Sequence, residues 1–317
     1  MKEPTQRPFL PPLLVIVFGI LAVSTGSIFV RYAQVYAPSI VIAAYRLGLA
    51  TLFLAPVALL RHRSELRGIQ GRDRTLAISS GIFLALHFVT WISSLEYTTV
   101  VSSVVLVSTA PLWVALLSPI TVKEPLTKPI LIGMGMAFIG VVIVGVSDVC
   151  SFQEGKLHCP MFNEFIRGEA FLGDLLALAG AWMAAGYLLI GRRLRVGISL
   201  VPYIFVVYGI AAIVLTILMF ASGQAAFSYQ PQTYLWLILL ALVPQIMGHS
   251  SFNWALGYLS AAFVSITLLG EPIGSAVLAY ILLDETPNVL KIFGAILILV
   301  GIYVASRGEA EVATPQD

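Results

Sequence analysis

Glu271 has the strongest claim to chemistry in this chain, because it lies thirteen residues from Tyr258 and thirteen from Asp284, inside an apolar stretch and directly before Pro272. An ionisable group at that depth in a bilayer costs several kcal/mol and has to face a bundle interior. It could carry a proton or meet a cationic substrate. The plain alternative is a neutral or ion-paired Glu that holds its helix at the Pro272 kink. Arg46 is the second intramembrane charge, eight residues beyond Pro38 and so about 12 Å below one face at 1.5 Å per residue. Glu271 is about 20 Å from that face by the same count, so only a fully extended Arg46 would reach it. A grip on a substrate carboxylate and a structural bond to carbonyls at a broken helix are the other roles open to Arg46.

Two polar stripes accompany these charges. His87, Trp91 and Ser94 share a helical face at i, i+4 and i+7, and Gln245, His249 and Asn253 do the same in the second half. In lipid such groups would go unsatisfied, so they face a wet cavity or one another. Each residue alone fits interhelical bonding, worth about 0.6 kcal/mol, but two stripes together favour a cavity. Trp182 and Tyr187, with Ser108 and Thr109, are weaker substrate-binding candidates. Glu124 and Glu285 fall just past apolar runs, where hydration relieves the charge, and read as gating or structural groups. Asp174 reads as a helix N-cap.

Several chemistries have no residues to support them. There is no H-E-x-x-H pair, no G-x-S-x-G elbow and no Walker loop, so neither an enzyme nor an ATP-driven pump is expected. No cofactor or metal is expected either, and no lysine lies deep enough to carry a Schiff base. A net charge of +2 with scattered basic residues argues against a nucleic-acid partner.

These side chains need membrane helices to hold them. Of the 317 residues 59% are hydrophobic and 11% charged, more apolar surface than one soluble core could bury. Ten runs are long enough to span a bilayer: roughly 10 to 31, 39 to 60, 75 to 95, 99 to 122, 129 to 147, 171 to 191, 201 to 221, 233 to 255, 260 to 283 and 289 to 306. Lys2 and Arg7 before the first run imitate a signal peptide, but Phe9 to Val30 is about twice a typical h-region. It reads as the first membrane helix.

Positive charge fixes the expected orientation. With the N-terminus inside, inner loops collect thirteen of the eighteen Lys and Arg, including the cluster from Arg61 to Arg74. The outer side receives Arg31, Lys156, Arg167 and Lys291. Both termini are then cytoplasmic, in a cell inner membrane. The long connection, 149–170, faces outward and contains Cys150 and Cys159. An oxidising exterior permits a disulfide there, and two free thiols are the alternative. With His158 they are too few for a four-ligand zinc site.

Shifting the chain by 161 positions aligns Tyr97 with Tyr258, Pro111 with Pro272, Glu124 with Glu285, Gly133 with Gly294 and Gly140 with Gly301, without a gap. The chain reads as two five-helix copies, 1–148 and 171–306, followed by a cytoplasmic tail, 307–317. Five is odd, so the second copy is expected to enter the membrane upside down. Two inverted halves suit a carrier that exchanges inward-facing and outward-facing shapes around a midplane site. A channel or a non-transporting structural membrane protein is the alternative. The small glycines at 133, 140, 294 and 301 make helices 5 and 10 a close-packed scaffold.

The text HFVTWISSLEYTTVVSSVVLVSTAPLWVALL, then KEPL, and later GEPIGSAVLAYILLDETP with GAILILVGIY, resembles the EamA-type drug/metabolite transporter superfamily over about residues 12 to 306. The resemblance implies an all-α membrane protein of ten helices around a central cavity. It also implies secondary transport of small metabolites, amino acids or drug-like compounds by export or exchange. Glu271, rather than the resemblance, makes protons a candidate coupling ion. The resemblance favours a structural Arg46, since an Arg near the start of helix 2 is common there whatever the substrate. Neither substrate nor oligomeric state follows.

Overall fold

The computed structural model describes residues 8, 10–98, 103, 106–149, 151–153, 156–158, 169–283 and 289–313. Its described part is helical apart from one short hairpin. The first span is two pieces, α1 (Pro12–Val23) and α2 (Gly26–Gln34). They are separated at Ser24 and Thr25, whose hydroxyls donate back to the Ile20 and Ala22 carbonyls at 2.7 and 2.8 Å. Such back-bonding competes with the helical ladder and bends it. α3 (Ser39–Arg61), α4 (Arg63–Gly68), α5 (Gly71–Tyr97), α6 (Ala110–Thr121) and α7 (Lys128–Val149) complete the first half.

In the connection that the sequence suggests is all loop, β1 (Ser151–Gln153) pairs antiparallel with β2 (Lys156–His158), Ser151 opposite His158. Cys150, Cys159 and Glu285 lie outside the described residues.

The second half begins with α8 (Glu169–Arg195) and α9 (Leu200–Ala221). The next span is α10 (Pro231–Leu240), a π-helical segment (Ala241–His249) and α11 (Ser250–Ala255). Pro244 sits inside the π segment, where its missing N–H opens the ladder and the wider turn absorbs the misfit. Then come α12 (Ala261–Thr267), a 3-10 turn (Leu268–Gly270), α13 (Glu271–Leu283) and α14 (Val289–Ala313). α14 runs past 306, so the first part of the expected tail is helix.

Asp174 is not an N-cap. α8 starts five residues before it, and its Oδ1 accepts from the Thr98 hydroxyl at 2.9 Å, tying α8 to the end of α5.

Among the described residues, six helical segments are long and apolar enough to cross a membrane: Pro12–Gln34, Ser39–Arg61, Gly71–Tyr97, Phe171–Arg195, Leu200–Ala221 and Pro231–Ala255. Shorter apolar helices occupy Ala110–Thr121, Lys128–Ile143, Ala261–Ser275 and Ile292–Ala305. Their outward side chains stay uncovered, Leu60 at 83% and Ile120 at 78% exposure, a surface for lipid rather than water.

The packing repeats itself under the same shift of 161. α5 lies on α8, and the α10 to α11 span lies on α1 and α2. α9 packs on α5 as α3 packs on the π segment, and α6 meets α8 as α13 meets α1. α3 with α9, α6 with α12, and α7 with α14 join the halves. The last pair is antiparallel: Gly133 meets Gly301, while Gly140 meets Gly294, where an added Cβ would come 2.7 Å from the carbonyl oxygen.

Candidate functional site

The breaks in the helices converge on one internal cavity. α6 opens beside it at Ala110 and Pro111, α13 opens beside it at Glu271, and His249 closes the π segment on its wall. The cavity offers about 90 Å³ for the centres of water-sized molecules, several times the roughly 10–15 Å³ that one water needs. Its walls are mostly apolar.

Its lining is related by the internal shift. Val23 and Ala184, Phe88 and His249, Trp91 and Phe252, Val107 and Leu268, Ser108 and Leu269, and Ala110 and Glu271 all line it, and each pair is 161 positions apart. The cavity therefore sits where the two copies face each other. Phe88 and His249 touch edge to face across that junction, centroids 5.2 Å apart. Charge breaks the symmetry: the counterpart of Glu271 is Ala110, and that of Arg46 is Val207. Each charge thus occurs once on the wall, without a counterpart in the other copy.

Arg46 is 1% exposed. Its Nε donates to Gln245 Oε1 at 2.8 Å, and its guanidinium carbon lies 4.1 Å from the Phe88 ring centroid. Its Nη1 is buried without a hydrogen-bond partner. Arg46 and Glu271 both line the cavity, yet they form no direct ion pair among the described residues, whose pairs are His62–Glu65 and Arg192–Glu124. Glu271 accepts a bond through its main-chain oxygen, from Ser24 Oγ at 3.2 Å.

The two polar stripes divide. His87 and Trp91 line the cavity with nearly parallel rings. His87 Nδ1 is engaged with the Gly180 carbonyl at 2.9 Å, whereas the indole N–H of Trp91 is buried and unpartnered. Ser94 is bonded to the Trp91 carbonyl and to Ser103 and lies behind the wall. In the second stripe His249 lines the cavity, while Gln245 holds Arg46 from behind. Asn253 donates to Tyr187 and Tyr208 hydroxyls and to the His249 carbonyl, fixing the lining Tyr187 in place. Ser108 is on the wall. Trp182 is not: it is 46% exposed and packs edge to face on Trp113. Phe88 and Phe252 are wall residues that polarity alone does not single out, although the 161 shift pairs them with His249 and Trp91.

Beyond the cavity, Glu124 closes a polar clamp at the expected inner face. Its Oε1 takes Arg192 Nε and its Oε2 takes the Ala261 N–H at 2.9 Å, while Arg192 Nη1 reaches the Leu256 carbonyl at 2.9 Å. One carboxylate so ties the connection between α6 and α7 to α8 and to the start of α12. Arg195 bonds the Asn253 and Ile198 carbonyls beside it. No group of three or more potential metal ligands occurs among the described residues.

The model of the EamA-like transporter family matches residues 10–146 and again 171–307, two stretches offset by 161. A protein of Archaeoglobus fulgidus described as an uncharacterized transporter is 24% identical over 84% of this chain and 86% of its own. The uncharacterized transporter YyaM of Bacillus subtilis is 26% identical over 90% of each. A protein of known crystal structure superposes with a TM-score of 0.73 at 17% identity, covering 96% of this chain and 99% of that one. That likeness concerns the fold alone.

Proposed function

Since this chain belongs to the EamA-like transporter family, we propose that it is a secondary transporter that moves small molecules across the cytoplasmic membrane by alternating access, in export or exchange. The observation that carries this reading is the cavity at the junction of the two copies, lined in pairs by residues 161 apart. Antiparallel packing of α7 on α14 supports an inverted second half, the four shorter apolar helices beside the six long ones support ten spans, and the excess of Lys and Arg in the expected inner loops supports termini on the inside. Two inverted halves can exchange conformations, so one site is presented to either face. The clamp of Glu124 on Arg192 and Ala261 then holds the inner side closed.

Arg46, His87, Trp91, Ser108, Tyr187, His249 and Glu271 form the binding wall, with Gln245 and Asn253 as positioning residues behind it. Solute counterflow in proteoliposomes tests the reading. A carrier accumulates labelled solute transiently against its own gradient when preloaded with unlabelled solute. Flux that never saturates, with no counterflow, would make the protein a channel.

A further inference from the structure

The end of the hairpin formed by α3 and α5 carries a charge pattern that the cavity does not use. Residues 61–74 hold five arginines, Arg61, Arg63, Arg67, Arg72 and Arg74, against Glu65 and Asp73, whereas the segment 161 positions later has no charge at all. All five arginines are exposed. Their guanidiniums make no ion pair among the described residues, and Glu65 is occupied by the Ser199 N–H and hydroxyl and by His62. We propose that this end is a docking surface for anionic phospholipids of the leaflet it meets, the inner one in the expected orientation, with the phosphate held by arginine and the acyl chains laid along α3 and α5. The inference rests on insertion in a membrane and not on transport.

Helix register is what singles out a lipid. Residues four and eight apart share a face, so Arg61 ends a stripe with Val57 and Phe53 on α3, and Arg74 ends a stripe with Ile78 and Ile82 on α5. All four apolar side chains are exposed, and α3 packs beside α5. Each stripe is apolar along the span and cationic where the span ends, which is the complement of an acyl chain beneath a phosphate. A soluble anion would use the charge and leave the stripes idle. Arginine suits the phosphate, because its planar fork donates two parallel hydrogen bonds where lysine presents a point charge. Each basic residue next to a span adds about fivefold in affinity for an anionic leaflet. The protein fixes the presentation: Glu65 pins α4 to Ser199 at the N-cap of α9, and Ile69 just behind α4 packs against the core. Arg63 and Arg67 are thereby held beside the end of α3.

The test uses the full-length purified protein in mild detergent, with dioleoylphosphatidylglycerol, dioleoylphosphatidylcholine and glycerol 3-phosphate as probes. Retained lipid is counted by native mass spectrometry, and affinity is read from thermal shift. Phosphatidylglycerol is expected to bind about tenfold or more tighter than phosphatidylcholine, and glycerol 3-phosphate to leave the melting temperature unchanged. Arg61→Gln with Arg74→Gln is expected to lower the phosphatidylglycerol affinity about 25-fold. Arg61→Lys with Arg74→Lys keeps the charge, and with it the orientation signal, and is expected to lose about threefold; this pair decides where the Gln pair does not fold. Lys123→Gln with Arg193→Gln is the control. It removes the same charge from the same expected face, but Lys123 lies beyond α6, and Leu189 and Ala185, four and eight residues before Arg193, are buried. Its expected loss is below about threefold. Equal binding of the two lipids, a Lys pair as tight as the unaltered protein, equal losses in the control and Gln pairs, or glycerol 3-phosphate binding as tightly as the lipid overturns the inference. Counterflow separates the two claims: its failure with lipid preference intact sinks transport alone, and the reverse sinks only the docking surface.

Discussion

Replacing Gly301 by alanine puts one methyl group where the two copies come closest. The new Cβ would lie 2.6 Å from the Gly133 carbonyl oxygen, 2.7 Å from Ala137 N and 2.9 Å from its Cβ. Ordinary C···O approaches are about 3.3–3.6 Å, so α7 and α14 have to separate by most of an ångström along a backbone contact that no rotamer change can relieve. Overpacking of this kind costs typically about 1–3 kcal/mol, while alanine returns up to about 1 kcal/mol of helix propensity. Gly135→Ala is the internal control, because a Cβ there meets nothing within 4 Å and only the propensity gain remains. Their difference cancels propensity and isolates the overpacking, roughly 2–10 °C in melting temperature on the scale of large domains. The assay is thermal unfolding in detergent, followed by size-exclusion chromatography. Gly301→Ala as stable as Gly135→Ala would refute the antiparallel crossing, and with it the main support for an inverted second half.

Three further outcomes are expected. Glu124→Gln removes the charge that joins Arg192 to the Ala261 N–H; at about 1.4 kcal/mol per tenfold, losing this half-buried clamp moves the population toward inward-open by about tenfold, read as faster alkylation of a cysteine placed in the cavity from the inside. Glu65, outside the spans, is pushed up by partial burial, but the Ser199 hydroxyl and N–H, both at 2.6 Å, and His62 outweigh this and hold it below the usual carboxylate range. A depressed folded value means that its contribution is complete above the unfolded value and fades as pH falls through the folded one; Glu65→Gln should therefore flatten the acid side of the melting-temperature profile, and an unchanged profile would contradict this. Cys150 and Cys159 flank in sequence the Ser151–His158 strand pair, so non-reducing digestion should yield a disulfide-linked peptide, and full alkylation without reductant would exclude it.

Much of this architecture was legible because a bilayer demands runs of about 20 apolar residues, and because duplication leaves Pro111 and Pro272 in register. The Glu271 position was readable from depth and from Pro272. The stripes were readable only as stripes: periodicity says that Ser94 and Trp91 share a face, but not that Ser103 takes the Ser94 hydroxyl and removes it from the wall. Asn253 and Gln245 likewise serve from behind, since their partners come from helices distant in sequence. Trp182 looked like a cavity aromatic and instead packs on Trp113 at the periphery. The π segment around Pro244 and the early start of α8 were hidden, because single-residue shifts in a ladder leave no apolar signature. Phe88 and Phe252 needed the internal alignment rather than polarity to be found.

In the proposed transport cycle one cavity is opened to each side in turn. The most direct measurement of this is the accessibility of Ser108→Cys on the cavity wall, in a protein whose two native cysteines are replaced, using a membrane-impermeant maleimide on right-side-out and inside-out vesicles. Alternating access predicts labelling from both faces, with Glu124→Gln raising the inside rate and lowering the outside rate. Labelling from one face alone in every condition, or both rates rising together in Glu124→Gln, would contradict it.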